Sequence, residues 1–172
     1  RRKDAHFEFL NKELSKREHE HKASFIIKDD PKLMKDIFEF IKSDKNSVMF
    51  CYGGIGSTPD DYTKEVSANV FGDGKLYLNK EAENLIVQRF GKKDLYPHRI
   101  TMAHLPKDVN LLHNVVNRVP GFQFEDRFFF MPGFPSMAEN MVVSSLDKYY
   151  PNAKTRHRKT ITVFSGESSE LQ

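Results

Sequence analysis

One stretch of this 172-residue chain, Ser47 to Thr63 with the sequence SVMFCYGGIGSTPDDYT, limits the folds open to it. Residues 48–52 are five consecutive apolar or aromatic residues, which predict a strand covered on both faces. Three glycines then end the strand. They are Gly53, Gly54 and Gly56.

The residues after the glycines follow the pattern of a helix start. Thr58 is predicted as the N-cap, Pro59 as the first helical residue and Asp61 as the N3 residue of a capping box. A strand, a glycine loop and a helix in this order direct backbone N–H groups outward at a positive helix end, which favours a phosphate or another anion. The alternative is that the glycines only permit a tight turn with positive φ.

Elsewhere the sequence predicts an α/β fold. Helical and strand-like patterns alternate through the first half of the chain, which is typical of a parallel sheet with right-handed crossovers. A Phe-rich hairpin with its turn at Glu125 and Asp126 adds an antiparallel part. The predicted helices cover 4–17, 31–41, 59–71, 80–90 and 136–148, with a helical turn at 99–105. The predicted strands cover 23–27, 48–52, 109–116, 121–131 as the hairpin, and 160–164.

Composition excludes several classes of protein. The length suits one domain, here 1–172, with 150–172 as a C-terminal strand extension. The net charge of +3 is too small to predict a nucleic-acid partner. No apolar stretch has the roughly 20 residues of a membrane span. A single cysteine, Cys51, fits a reducing compartment, so we expect a cytoplasmic protein.

Asp60 and Asp61 suggest a metal. Two carboxylates beside an anion-binding loop would repel a phosphate unless a divalent cation such as Mg²⁺ lay between them. Capping and the helix dipole offer the plainer alternative.

A second loop, Met131 to Pro135 with the sequence MPGFP, also lies between a strand and a helix. If both loops lie at the carboxyl ends of neighbouring strands, a ligand would bind in the crevice between them. The alternative is a rigid turn.

Other chemical classes are less well supported. Cys51 lies in the apolar run and is expected to be a buried small hydrophobe. No His or Cys spacing predicts zinc, and no GxSxG motif predicts a serine hydrolase. The basic run 156–159 fits a solvated strand edge, or alternatively a contact to an acidic ligand.

The stretch GGIGSTPDDYT resembles the signature of the molybdopterin-binding domain family of molybdenum cofactor biosynthesis, and it is most similar to the N-terminal domain of the competence/damage-inducible protein A group. Four further motifs keep the family's order. They are IKDDP at 27–31, RITMAHLP at 99–106, VPGF at 119–122 and FMPGFPSMAENM at 130–141.

The resemblance implies a three-layer α/β/α fold whose two loops flank a pocket for molybdopterin or a nucleotide pyrophosphate. It implies that Asp60 and Asp61 hold a divalent cation and carry catalysis, and that Asp29 is a further acidic ligand. It also implies a homodimer or homotrimer, with the Phe-rich hairpin as a reasonable interface. The implied ligand-binding residues are Gly53, Gly54, Gly56, Ser57, Thr58, Pro132, Gly133 and Pro135.

Some features depart from the family pattern. Tyr52 replaces a usual threonine, and Ser57 replaces the proline usual in the competence group. The family's first strand would precede Arg1, so we expect the natural chain to contain it.

Two functions remain open at this point. One is a metal-dependent enzyme that transfers or hydrolyses a nucleotidyl or phosphoryl group, acting on adenylylated molybdopterin, ADP-ribose or an FAD-like dinucleotide. The other is a binding module that holds a pterin or nucleotide without transforming it.

Overall fold

The structure is a computed structural model, and it describes residues 4–152 together with the backbone of 159–165. Its helices are α1 Ala5–Lys16, α2 Pro31–Ser43, α3 Thr63–Phe71, α4 Lys80–Phe90 and α5 Pro135–Tyr149, with a 3-10 helix at Arg99–Ala103. Its strands are β1 Glu20–Ile27, β2 Ser47–Tyr52, β3 Leu76–Leu78, β4 His104–Pro106, β5 Asn110–Leu112, β6 Gly121–Phe124, β7 Phe128–Met131 and β8 Lys159–Ser165.

Side-chain caps set several of the helix starts. Asp4 accepts hydrogen bonds from the first backbone N–H groups of α1, and Asp30 does the same for α2 ahead of Pro31. Asn79 caps α4 in the same way, and Gly91, at φ 82°, ends it. These local signals work because each cap satisfies N–H groups that have no partner inside the helix.

Six strands form the main sheet in the order β1-β8-β2-β7-β6-β5. The pairs β1/β8, β8/β2 and β2/β7 are parallel, whereas β7/β6 and β6/β5 are antiparallel. The expected mostly parallel sheet with an antiparallel hairpin at one side is therefore confirmed. Strands β3 and β4 form a separate antiparallel pair.

The sheet has a helical layer on each face. Alternate residues of β2 point to opposite faces and pack against the two layers. Val48, Phe50 and Tyr52 pack in one core with residues of α1 and α5. Met49 and Cys51 pack in the other core with residues of α2, α3 and α4. This arrangement confirms the three-layer fold, and Cys51 is the buried hydrophobe that the sequence predicts.

Two predictions about the elements are wrong, and two strands are not predicted. The strand expected over 109–116 is limited to Asn110–Leu112, and neither β3 nor β4 is among the predicted strands. The hairpin has the predicted register, with Phe122 opposite Phe130, but its aromatic rings are buried in the domain. These rings are therefore unavailable as an oligomer interface, because packing on the helices already covers them.

Strand β8 fulfils the prediction of a strand over 160–164 and lies between β1 and β2 rather than at an edge. The rest of the basic run, residues 156–158, lies outside the described residues.

Candidate anion-binding site

The glycine loop leaves β2 at the carboxyl edge of the sheet and returns directly to the start of α3. Gly53 has φ 90° and Gly54 has φ 68°, a region that favours glycine. The Gly53 N–H donates to the Met131 carbonyl at 2.8 Å, and the Gly54 carbonyl accepts from the Thr63 N–H at 3.0 Å. Both ends of the loop are thus fixed by backbone hydrogen bonds.

The predicted helix start at Thr58 is wrong, because α3 begins at Thr63 with no side-chain cap at Tyr62. Residues 58–61 form a turn closed by the Asp61 N–H donating to the Thr58 carbonyl at 3.1 Å. The Thr58 N–H and hydroxyl donate to Oδ2 of Asp61 at 2.8 and 2.5 Å. Thr58 and Asp61, which match a capping box in sequence, therefore hydrogen-bond to each other in a turn before the helix. Pro59 lies in that turn.

Gly56 lets the Asp61 carboxylate lie close to the loop backbone. A Cβ atom at position 56 would lie 2.7 Å from Oδ2 of Asp61, so a larger residue there would displace this side chain from its place in the turn.

A pocket of about 340 Å³ opens beside the turn. Its lining combines four hydroxyl-bearing residues, two acidic residues and one lysine, with Thr101 of the 3-10 helix among them. The lining residues are Gly56, Ser57, Thr58, Pro59, Asp61, Tyr62, Lys64, Glu65 and Thr101.

Lys64 is the unexpected member of this lining. It is only 3% exposed, and its Nζ donates to the carbonyls of Gly56 and Thr101, each at 2.8 Å. Burial lowers the pKa of Lys64 below its ordinary value, while the negative charges of Glu65 and Asp61 act in the opposite direction. An ammonium therefore joins the glycine loop to the 3-10 helix at the wall of the pocket.

Sequence reasoning missed Lys64 because it looked for a lysine directly after the last glycine, as in the Walker A motif. The usable signal is that Thr63, Lys64 and Ser67 are polar residues on the buried side of α3. Thr101, in the RITMAHLP motif, also lines the pocket and is not among the predicted site residues.

The MPGFP loop meets the glycine loop at the ends of β2 and β7. A Cβ atom at Gly133 would lie 3.3 Å from the Cα of Gly53, so the two backbones touch. The Gly133 carbonyl accepts a hydrogen bond of 2.9 Å from Nε2 of His6 in α1. Pro135 is the first residue of α5, as a proline at a helix start should be.

The structure thus separates the predicted residues into groups. Gly56, Ser57, Thr58 and Asp61 line the pocket. Gly53 and Gly54 begin the glycine loop outside the pocket lining, and the MPGFP loop packs against Gly53. Pro132, Gly133 and Pro135 are not among the pocket-lining residues either.

The acidic residues do not converge on one point. Asp29 follows β1, and β8 lies between β1 and β2. Asp60 is exposed beside the pocket, and no group of three or more His, Cys, Asp or Glu side chains within the described residues could hold a metal ion. Two carboxylates can still serve Mg²⁺ when ligand phosphates complete its shell.

The sequence of residues 1–151 matches the family model described as "Probable molybdopterin binding domain". This chain belongs to the molybdopterin-binding domain family. A CinA-like protein of Desulforapulum autotrophicum is 33% identical over 143 residues, which are 74% of this chain and 33% of that protein. A Clostridium kluyveri protein named for competence-damage induction is 28% identical over 152 residues, covering 83% of this chain and 37% of its own length.

The chain therefore spans about a third of the curated relatives it matches. Among solved structures, the protein CinA of unknown function from Thermoplasma acidophilum superposes with a TM-score of 0.71 at 23% identity, covering 84% of this chain and 87% of that one. This likeness supports the fold. None of the described helices is long and apolar enough to cross a membrane.

Proposed function

We propose that this domain binds a pterin or nucleotide that carries a phosphate or pyrophosphate, with the phosphate in the pocket beside the glycine loop. The observation that carries the proposal is the pairing, in one pocket, of the Ser57 and Thr58 residues with the buried ammonium of Lys64. Because the Thr58 hydroxyl already donates to Asp61, the Ser57 hydroxyl and the Lys64 cation are the groups that would recognise the phosphate. Membership of a molybdopterin-binding family supports a ligand of this class.

Each of the two loops would contact a different part of the ligand. The glycine loop carries the polar groups, whereas the MPGFP loop contains no ionisable residue and packs backbone to backbone against Gly53. The uncharged part of the ligand, a pterin or an adenosine, would therefore lie toward the MPGFP side. The polar part would lie toward Ser57 and Lys64.

A divalent cation fits this pocket only as a bridge between the protein and the ligand. Asp61 already accepts two hydrogen bonds from Thr58 at Oδ2, so Oδ1 and the exposed Asp60 carboxylate would hold the ion. Such an ion would neutralise phosphate charge during nucleotidyl or phosphoryl transfer. The protein residues would orient the phosphate and keep it beside the loop.

Calorimetry tests the proposal with ADP-ribose, FAD, inorganic pyrophosphate and the phosphate-free pterin biopterin, each with and without Mg²⁺. We expect ADP-ribose and pyrophosphate to bind and Mg²⁺ to tighten both. No binding of any phosphate-bearing compound in the panel would overturn the proposal.

The second function, a binding module without turnover, is favoured by one observation. The Asp61 carboxylate has a structural task in holding the Thr58 turn, which explains it without catalysis. Incubation of the binding-competent protein with ADP-ribose and Mg²⁺, followed by chromatography, separates the two functions. Release of AMP shows an enzyme, and intact ADP-ribose after binding shows a module.

A further inference from the structure

We propose that Lys64 is the residue that supplies positive charge to the phosphate in this pocket and positions the glycine loop for it. The inference rests on the proposed function and adds the residue that determines its preference for anionic ligands. It combines three observations, namely the burial of the ammonium, its hydrogen-bond partners and its place in the pocket wall.

The first observation is that the ammonium is buried without a carboxylate partner. Lys64 is 3% exposed, and no carboxylate of the described residues forms an ion pair with it. Burying a lysine charge without an opposite charge is costly. A position that accepts this cost is typical of a functional site.

The second observation is the geometry of the hydrogen bonds. An ammonium has three N–H donors, and two of them are directed to the carbonyls of Gly56 and Thr101 at 2.8 Å each. Neutral carbonyls hold the group in place without cancelling its charge. One donor and the full charge therefore remain available to a ligand.

The third observation is the position of the group. Gly56 and Thr101, whose carbonyls hold the ammonium, both line the pocket, as do the Ser57 and Thr58 residues. A phosphate that enters between the glycine loop and the 3-10 helix therefore meets Lys64 at the wall.

Lys42, an exposed residue of α2, offers a control because it bonds a carbonyl at the other end of α3. Its Nζ donates to the carbonyl of Val70 at 2.5 Å near the end of α3, and it is not among the pocket-lining residues. Lys42→Met and Lys64→Met both remove one ammonium that bonds a carbonyl. Only Lys64→Met removes it from the pocket.

The experiment measures pyrophosphate and ADP-ribose binding by calorimetry for the wild-type protein and both variants, at several salt concentrations. We expect Lys64→Met to weaken binding at least tenfold and to reduce the slope of log K against log salt, because one positive charge is removed from the pocket. Lys42→Met should keep the wild-type affinity and slope. Equal affinities and slopes for the two variants would overturn the inference.

Two further outcomes are informative. If Lys64→Met does not fold, Lys64→Arg keeps the charge, and we expect it to retain more affinity than Lys64→Gln. Equal losses in Arg and Gln would show that Lys64 only braces the loop and would overturn the inference. Failure of the wild-type protein to bind either compound would instead overturn the proposed function.

Discussion

The two loops at the ends of β2 and β7 touch each other and yet are held in place by different means. The glycine loop is held by polar side chains of its own and of α3. Thr58 and Asp61 close its turn, and Lys64 of α3 bonds the Gly56 carbonyl. The MPGFP loop has no ionisable residue and is held from outside by His6 and by contact with Gly53.

The difference lies in the chemistry of the groups that hold each loop. Lys64 bonds two neutral carbonyls and keeps its charge, whereas the Thr58 hydroxyl is committed to Asp61. The other loop uses a helix residue, His6, as a support, so its own backbone can lie close to its neighbour. Variants that disturb one support and leave the other intact test this division.

The largest effect on stability is expected from His6→Ala. The imidazole is buried, stacks on the Tyr52 ring at a centroid distance of 4.1 Å and donates to the Gly133 carbonyl. Loss of the ring would leave a cavity and an unsatisfied carbonyl, which together cost about 2 to 3 kcal/mol of unfolding free energy. Urea denaturation measures this change.

His19→Ala is the control, because its Nε2 donates to the Tyr150 carbonyl at 2.8 Å, away from both loops. We expect a smaller loss of stability there and unchanged ligand affinity. An equal loss of affinity in both variants would contradict a specific role of His6 in supporting the MPGFP loop.

The same side chain predicts a pH dependence. Burial lowers the pKa of His6 below its ordinary value of 6.5, although the Gly133 carbonyl, Asp4 and Glu139 act in the opposite direction. The unfolded chain therefore binds a proton more readily, so the contribution of neutral His6 is complete above pH 6.5 and is lost as the pH falls through the range below it. His6→Gln should reduce the change in the urea denaturation midpoint between pH 7 and pH 5.

Much of the fold could be predicted because its signals are local. The cap at Asp30 before Pro31 and the register of Phe122 with Phe130 depend on neighbouring residues or on strict alternation. The start of α3 could not be predicted in the same way. Thr58 and Asp61 fit a capping box and a closed turn equally well. The turn forms and α3 begins at Thr63, where the Thr63 N–H donates to the Gly54 carbonyl.

The site was predicted in part for the same physical reason. Gly56, Ser57, Thr58 and Asp61 are consecutive or nearly so, and they do line the pocket. Lys64 becomes a site residue through the carbonyls of Gly56 and of Thr101, the latter 37 positions later. The contact with Thr101 leaves no local trace in the sequence, and only the polar residues on the buried side of α3 point to Lys64.

An intermediate effect is expected from Gly53→Ala. With φ at 90°, a Cβ atom at this position strains the backbone by about 1 to 2 kcal/mol. The strain would move Gly53 relative to Gly133, so the affinity for ADP-ribose should fall as well. Thermal unfolding and calorimetry measure the two effects.

Gly91→Ala is a close control, because Gly91 has φ 82° and a Cβ atom there would meet nothing within 4 Å. It should lose stability through its own backbone strain, at φ 82° and ψ 157°, and keep the wild-type affinity. If both variants bound ADP-ribose equally well, contact between the two loops would have no part in binding.

The smallest effect on stability is expected from the two aspartates, and it separates their roles. Asp61→Asn weakens the hydrogen bonds from the Thr58 N–H and hydroxyl, which should cost about 1 kcal/mol. A hydrogen bond from Thr58 lowers the pKa of the exposed Asp60 carboxylate, so Asp60→Asn should reduce the unfolding free energy only slightly. If the carboxylates hold Mg²⁺, both variants should nevertheless lose the Mg²⁺-dependent part of pyrophosphate affinity. Loss of that part in Asp61→Asn alone would assign the ion to Asp61 and leave Asp60 a surface residue, whereas full retention in both would rule out the metal bridge at this turn.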